Sequence, residues 1–131
     1  MKTKHLFWFT IVLNALHGIG LMLGAKDAAQ MGLPELSADV LNMGAGAYEI
    51  AAFFNFFVVA VLLSARNFGT AEMRAISKGI AGGFVILTAG VVYHMFTLIP
   101  GQAPPAAAVG VFGAITAWAL FVAFGTKDAE A

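Results

Sequence analysis

The chain has 131 residues, 60% of them apolar and 11% charged, with zero formal net charge and no cysteine. A soluble domain of this length could not hide so much apolar surface, so the solvent is read as lipid, with no room for a second domain. Zero net charge removes the basic field that would draw in nucleic acid. The missing cysteines remove disulfides, thiolate ligands, iron–sulfur clusters and thiol redox chemistry.

Four apolar segments follow in order, at about His5 to Gly24, Met43 to Ala65, Gly79 to Ile99 and Ala106 to Gly125. Each is about 20 residues, enough to cross ~30 Å of hydrocarbon. The expected fold is all-α, an integral membrane antiparallel four-helix bundle forming a single domain over 1–131. Lys2 and Lys4 before the first apolar run also suit a signal peptide, but the segment is expected to remain as a true span.

Lys2, Lys4, Arg66, Arg74, Lys78 and Lys127 fall on one side of the spans and only Lys26 on the other. That bias predicts both termini in the cytoplasm of a bacterial inner membrane, the protein being multi-pass. Arg74 and Lys78, one helical turn apart, are expected to face lipid phosphates.

The outer loop, AKDAAQMGLPELSADVLN, predicts a short interfacial helix or an extension of span two. Pro34 suits a first helical turn, and Glu35 and Asp39 suit a helix N-terminus. In the inner loop, RNFGTAEMRAISK, Gly69 is expected to end one helix and Thr70 to cap the next. IPGQAPP predicts a tight turn between spans three and four.

In lipid, helices approach where side chains are small. That points to Gly20 and Gly24 on span one, Ala45, Gly46, Ala52 and Ala60 on span two, and Gly79, Gly83 and Gly90 on span three. On span four it points to Ala106, Gly110, Gly113, Ala114 and Ala117. Phe53, Phe54, Phe56 and Phe57 form a dense aromatic cluster expected to fill gaps or face lipid, with a lipid or quinone cleft as the other reading. Trp8 and Trp118 read as interface anchors.

Three ionisable residues interrupt the apolar spans: His17, Glu49 and His94. Charge is costly there and commonly marks a site. Counted from the outer ends of their spans, all three lie ~9–10 Å deep, and each shares a helix face with small residues. They are therefore expected to converge in one cavity, with Tyr93 beside His94 and Asn14 one turn from His17. A deeper layer of Asn14, Asn55, Thr88 and Thr116 predicts interhelical hydrogen bonds. The foremost reading of the cluster is a network in which Glu49 accepts from one or both imidazoles. The others are a ligand pocket using His17, Glu49, His94, Tyr93 and Asn14, haem b held by His17 and His94, and a divalent metal on His17, Glu49 and His94.

The stretch LMLGAKDAAQMGLPEL followed by GAGAYEIAAFFNFFVVAVLLSAR resembles the DoxX-like group of small four-helix membrane proteins. The similarity of layout extends along the chain. The resemblance implies a four-helix bundle of accessory function, in some members tied to redox enzymes or sulfur metabolism; the cysteines of redox-active members are absent here. The function expected is a non-catalytic accessory subunit or a binder of a lipid or small lipophilic ligand. Its partners would be membrane lipids, other membrane subunits or a second copy. A haem- or metal-dependent redox protein using His17 and His94, or a small transporter using Glu49, are the alternatives.

Overall fold

The computed structural model describes residues 3–31, 33–98 and 104–125. Among these the protein is all-helical, with no strand. The helices are α1 (Thr3–Leu23), α2 (Ala25–Gln30), α3 (Ala38–Ser64), α4 (Thr70–Thr97) and α5 (Ala106–Leu120). α5 continues as a π-helical turn over Phe121–Gly125. Four helices are long and apolar enough to cross a membrane, the fourth counted through Gly125. Their burial reverses that of a soluble core. In α3, only 11% of the most apolar window lies inside the protein, so most of its apolar side chains point outward. Such a surface is stable in hydrocarbon and a liability in water.

The helices outrun the apolar segments at their polar ends. α3 starts at Ala38, five residues before Met43, with Ser37 at its cap position and Asp39 in its first turn. α4 starts at Thr70, nine residues before Gly79. Hydropathy does not register these turns, because a helix can continue out of hydrocarbon with a charged face toward water. The outer loop holds a short helix, α2, and α3 is also extended into it. Pro34, however, lies in a bend ahead of α3 rather than in a first turn. At the inner loop α3 already ends at Ser64, and Gly69 rather than Thr70 takes the cap position of α4, with Thr70 its first helical residue. The expected turn IPGQAPP falls largely on 99–103, outside the described residues.

Backbone contacts divide the chain into two compact units. One comprises Met1–Thr10, Asn67–Ile99 and Ala103–Ala131; the other comprises Ile11–Arg66 and Pro100–Gln102.

In the first unit α4 and α5 run antiparallel. Thr88 meets Thr116 and the carbonyl of Phe112, Thr116 meets the carbonyl of Phe84, and Lys78 reaches Phe124. α4 buries Met73, Ser77, Ala81 and Phe84, which recur every three or four residues and so form one stripe. Leu6 and Phe7 of α1, with Ala119 and Val122, are also buried in this unit. The small-residue rule chose a different face of α4. A Cβ added at Gly79, Gly83 or Gly90 would meet nothing within 4 Å, so these glycines line open space. The packed stripe is instead made of one phenylalanine, one methionine, one alanine and a serine whose hydroxyl donates to its own helix at Met73 O, 2.9 Å away.

In the second unit the chain from His17 to Ala29 passes back along α3 from Asn55 to Gly44. His17 and Gly18 lie against Asn55 and Phe56, and twelve residues after His17, Ala29 lies against Gly44. The approach at Gly44 is close: a Cβ there would sit 3.1 Å from the Ala29 Cβ, so an alanine would fit only if the two helices gave by a few tenths of an ångström. Gly24 joins α1 to α2, with its N–H bonded to Gly20 O at 2.9 Å. Ala25, Ala29, Ala45 and Ala52 are the small buried contacts of this unit.

Candidate functional site

The polar side chains inside the apolar helices are largely satisfied by the backbone one turn earlier. Thr10 Oγ1 donates to Leu6 O at 2.8 Å, Asn55 Nδ2 to Ala51 O at 2.8 Å, and Thr97 Oγ1 to Tyr93 O at 3.0 Å. No buried side-chain nitrogen or oxygen among the described residues lacks a partner. Where hydrocarbon offers no hydrogen bonds, such back-bonding is what lets a hydroxyl or amide reside in a span.

Some polar contacts among the described residues go further and join helices. In the first unit Thr88 and Thr116 hydroxyls lie 2.8 Å apart. Thr88 Oγ1 also lies 3.3 Å from Phe112 O, and Thr116 Oγ1 lies 3.1 Å from Phe84 O. Two hydroxyl hydrogens serve three contacts, so one contact is without a proton in any single arrangement. This is the interhelical bonding expected of the deeper layer.

In the second unit His17 Nδ1 lies 3.3 Å from Asn55 Oδ1. The Asn55 amide is oriented by Ala51, whose carbonyl can only accept, so Nδ2 faces Ala51 and Oδ1 faces the imidazole. Oδ1 has no proton to give. His17 Nδ1 must therefore carry the hydrogen of this bond, and in the neutral ring Nε2 keeps a free lone pair.

That bond changes the expected constellation. His17 pairs with Asn55, not with Glu49. Glu49 lies six residues, or ~9 Å, along α3 from Asn55. It falls between the His17–Asn55 level and the Ala29–Gly44 level, near the height of Gly24. The equal depths counted from sequence therefore do not hold for His17 and Glu49. The count began at Met43, whereas the register is set by α2 and the Gly24 junction, which carry the chain back along α3. Asn55 was assigned to a deeper layer for the same reason; a partner for His17 could only have been found from the interhelical register.

Glu49 sits on the margin between two faces of α3. Ala45 and Ala52 beside it are buried, while Glu49 itself is exposed. Among the described residues no hydrogen bond or ion pair reaches its carboxylate. On its other side, Ile50, Phe53, Phe54 and Phe57 line an open apolar groove of about 390 Å³. These four are 59–67% exposed and fall at the spacing of a single helix stripe.

His94 belongs to the first unit, whereas His17 and Glu49 belong to the second. It is exposed, on the side of α4 that carries Gly83 and Gly90, and its ring packs edge-on to Tyr93 with centroids 5.3 Å apart. Asn14 is half-buried and has a partner of its own. Within either unit, no group of three His, Asp or Glu side chains among the described residues is placed to hold a metal ion. Trp118 packs edge-to-face on Phe9 at 5.0 Å, and Lys78 lies 5.7 Å from the centre of the Phe124 ring. Both side chains thus make contacts inside the first unit beyond any role at the membrane interface.

The chain matches no protein-family model, no curated protein and no solved structure.

Proposed function

We propose that this is a multi-pass bacterial inner-membrane protein, an antiparallel four-helix bundle with both termini in the cytoplasm, which binds a lipid or small lipophilic ligand and catalyses no reaction of its own. The observation that carries this reading is the groove of Ile50, Phe53, Phe54 and Phe57. Three phenylalanines and an isoleucine on one stripe of α3 form a shallow, open apolar depression, which offers an apolar ligand the residue types that line such sites. The six-to-one distribution of Lys and Arg supports the orientation. The test is partitioning of tritiated dodecanol into nanodiscs with and without the protein. Excess uptake by the protein that falls in Phe53→Ala/Phe57→Ala supports the reading; uptake equal to that of empty nanodiscs ends it.

An accessory role beside another membrane subunit is the companion reading, in keeping with the resemblance to the DoxX-like group. Open space over Gly79, Gly82 and Gly83 favours it, because a neighbouring helix can approach such a face closely. Native electrophoresis of gently solubilised membranes tests it: migration at the size of the isolated bundle counts against a stable partner. The haem reading draws on His17, whose Nδ1 bond to Asn55 leaves Nε2 free, as in a ligating histidine whose other nitrogen is held. A Soret band in the purified protein would establish it, and its absence after expression with added haem would dismiss it.

A further inference from the structure

We infer that the α3 groove takes a single-chain cationic amphiphile, a long-chain alkyl amine, with its tail along Ile50, Phe53, Phe54 and Phe57 and its ammonium at Glu49. This rests on the lipophile-binding reading of the groove and adds the charge of the ligand. Glu49 precedes Ile50 and stands one turn before Phe53, so the carboxylate marks one end of the apolar stripe. From Ile50 to Phe57 the stripe runs ~10 Å along the helix, the length of a medium alkyl chain rather than of a compact ring system.

Two features of different kind select a cation. A carboxylate in an apolar span is costly to leave alone, and among the described residues nothing pairs with Glu49. An ammonium supplies both the opposite charge and N–H donors. The Phe53 ring, one turn from Glu49, adds a face that attracts a cation and repels an anion. Position argues against a phospholipid headgroup as the source. Glu49 stands six residues, ~9 Å, inside Met43, where the apolar part of α3 begins, so it lies below the level of headgroups.

The experiment compares tritiated dodecylamine with tritiated dodecanol, equal in chain length and different in charge, in phosphatidylcholine nanodiscs. The expected result is about tenfold tighter uptake of the amine by the protein, over and above that of empty nanodiscs. Glu49→Gln should abolish the preference while leaving dodecanol uptake unchanged, and Glu49→Asp should keep most of it. Phe53→Leu should weaken both probes. Unchanged dodecanol uptake in Glu49→Gln also certifies that the variant is folded. If the wild type takes up both probes equally, or Glu49→Gln keeps the preference, the inference is overturned while the lipophile reading stands. If neither probe binds above empty nanodiscs, both fall.

Discussion

His17 Nδ1 and Asn55 Oδ1 lie 3.3 Å apart between α1 and α3, and the Asn55 amide is oriented by its own bond to Ala51 O. The chain Ala51–Asn55–His17 therefore fixes an imidazole at a known height on α1. Interhelical hydrogen bonds in membranes are worth about 1 kcal/mol each. His17→Ala and Asn55→Ala should each lower thermal stability by about that amount. Their double variant should cost clearly less than the sum, since each single change already breaks the shared bond. His17→Ala combined with Glu49→Gln should be additive, because Glu49 is six residues along α3 from the His17 contact. A double-mutant cycle by thermal melting in detergent measures both. Coupling of His17 to Glu49 but not to Asn55 would reverse the assignment.

The two threonines of the first unit form a different kind of link. Thr88 and Thr116 share two hydrogens among three contacts, so removing one hydroxyl leaves the other still able to reach a carbonyl. Thr88→Val should cost about 1 kcal/mol and Thr116→Val the same, with the double variant well below about 2 kcal/mol. Strict additivity in unfolding measurements would mean that the hydroxyls act independently and that the 2.8 Å contact carries no bond.

The spans and their order were legible because hydropathy reads the solvent each segment meets, and ~20 apolar residues have one explanation. The helix starts were not. The first turns of α3 and α4 carry Asp39 and Glu72, and a hydropathy window ends before them. The packing face of α4 was misread because small side chains permit close approach without requiring it. Met73, Ser77, Ala81 and Phe84 fill the contact with volume and shape, and Gly79, Gly83 and Gly90 face open space. The partner of His17 was out of reach for a further reason. Depth counted from loop ends assumes that a loop only connects, whereas the loop between α1 and α3 contains α2, which packs along α3 through Ala29 and Gly44.

The proposed topology, with both termini in the cytoplasm, rests on Lys2, Lys4, Arg66, Arg74, Lys78 and Lys127 against Lys26. A phosphatase fused after residue 131, active only outside the cytoplasm, should be silent, whereas a fusion within the loop before α3 should be active. The opposite pattern would turn the protein over in the membrane.

Gly18 and Gly20 make the sharpest contrast on one helix. A Cβ built on Gly18 would lie 2.8 Å from Cε1 of Phe56 and 3.1 Å from Cδ1, on the face of α1 that meets α3. At Gly20, two residues on and on the other side, there is nothing within 4 Å. Glycine in a helix interior costs up to about 1 kcal/mol relative to alanine in its own right, so an alanine that fits is a gain. Gly20→Ala should therefore leave the melting temperature unchanged or raise it. Gly18→Ala must push the Phe56 ring aside and should lower stability by 1 to 3 kcal/mol, the range of an overpacked contact. A smaller side chain opposite should relieve it, so Phe56→Leu together with Gly18→Ala should be more stable than Gly18→Ala alone. That rescue is specific to the pair, since Phe56→Leu by itself only removes packing. If Gly18→Ala is harmless and Gly20→Ala is damaging, α1 meets α3 through its other face. The His17–Asn55 bond, which rests on the same register, would then be lost with it.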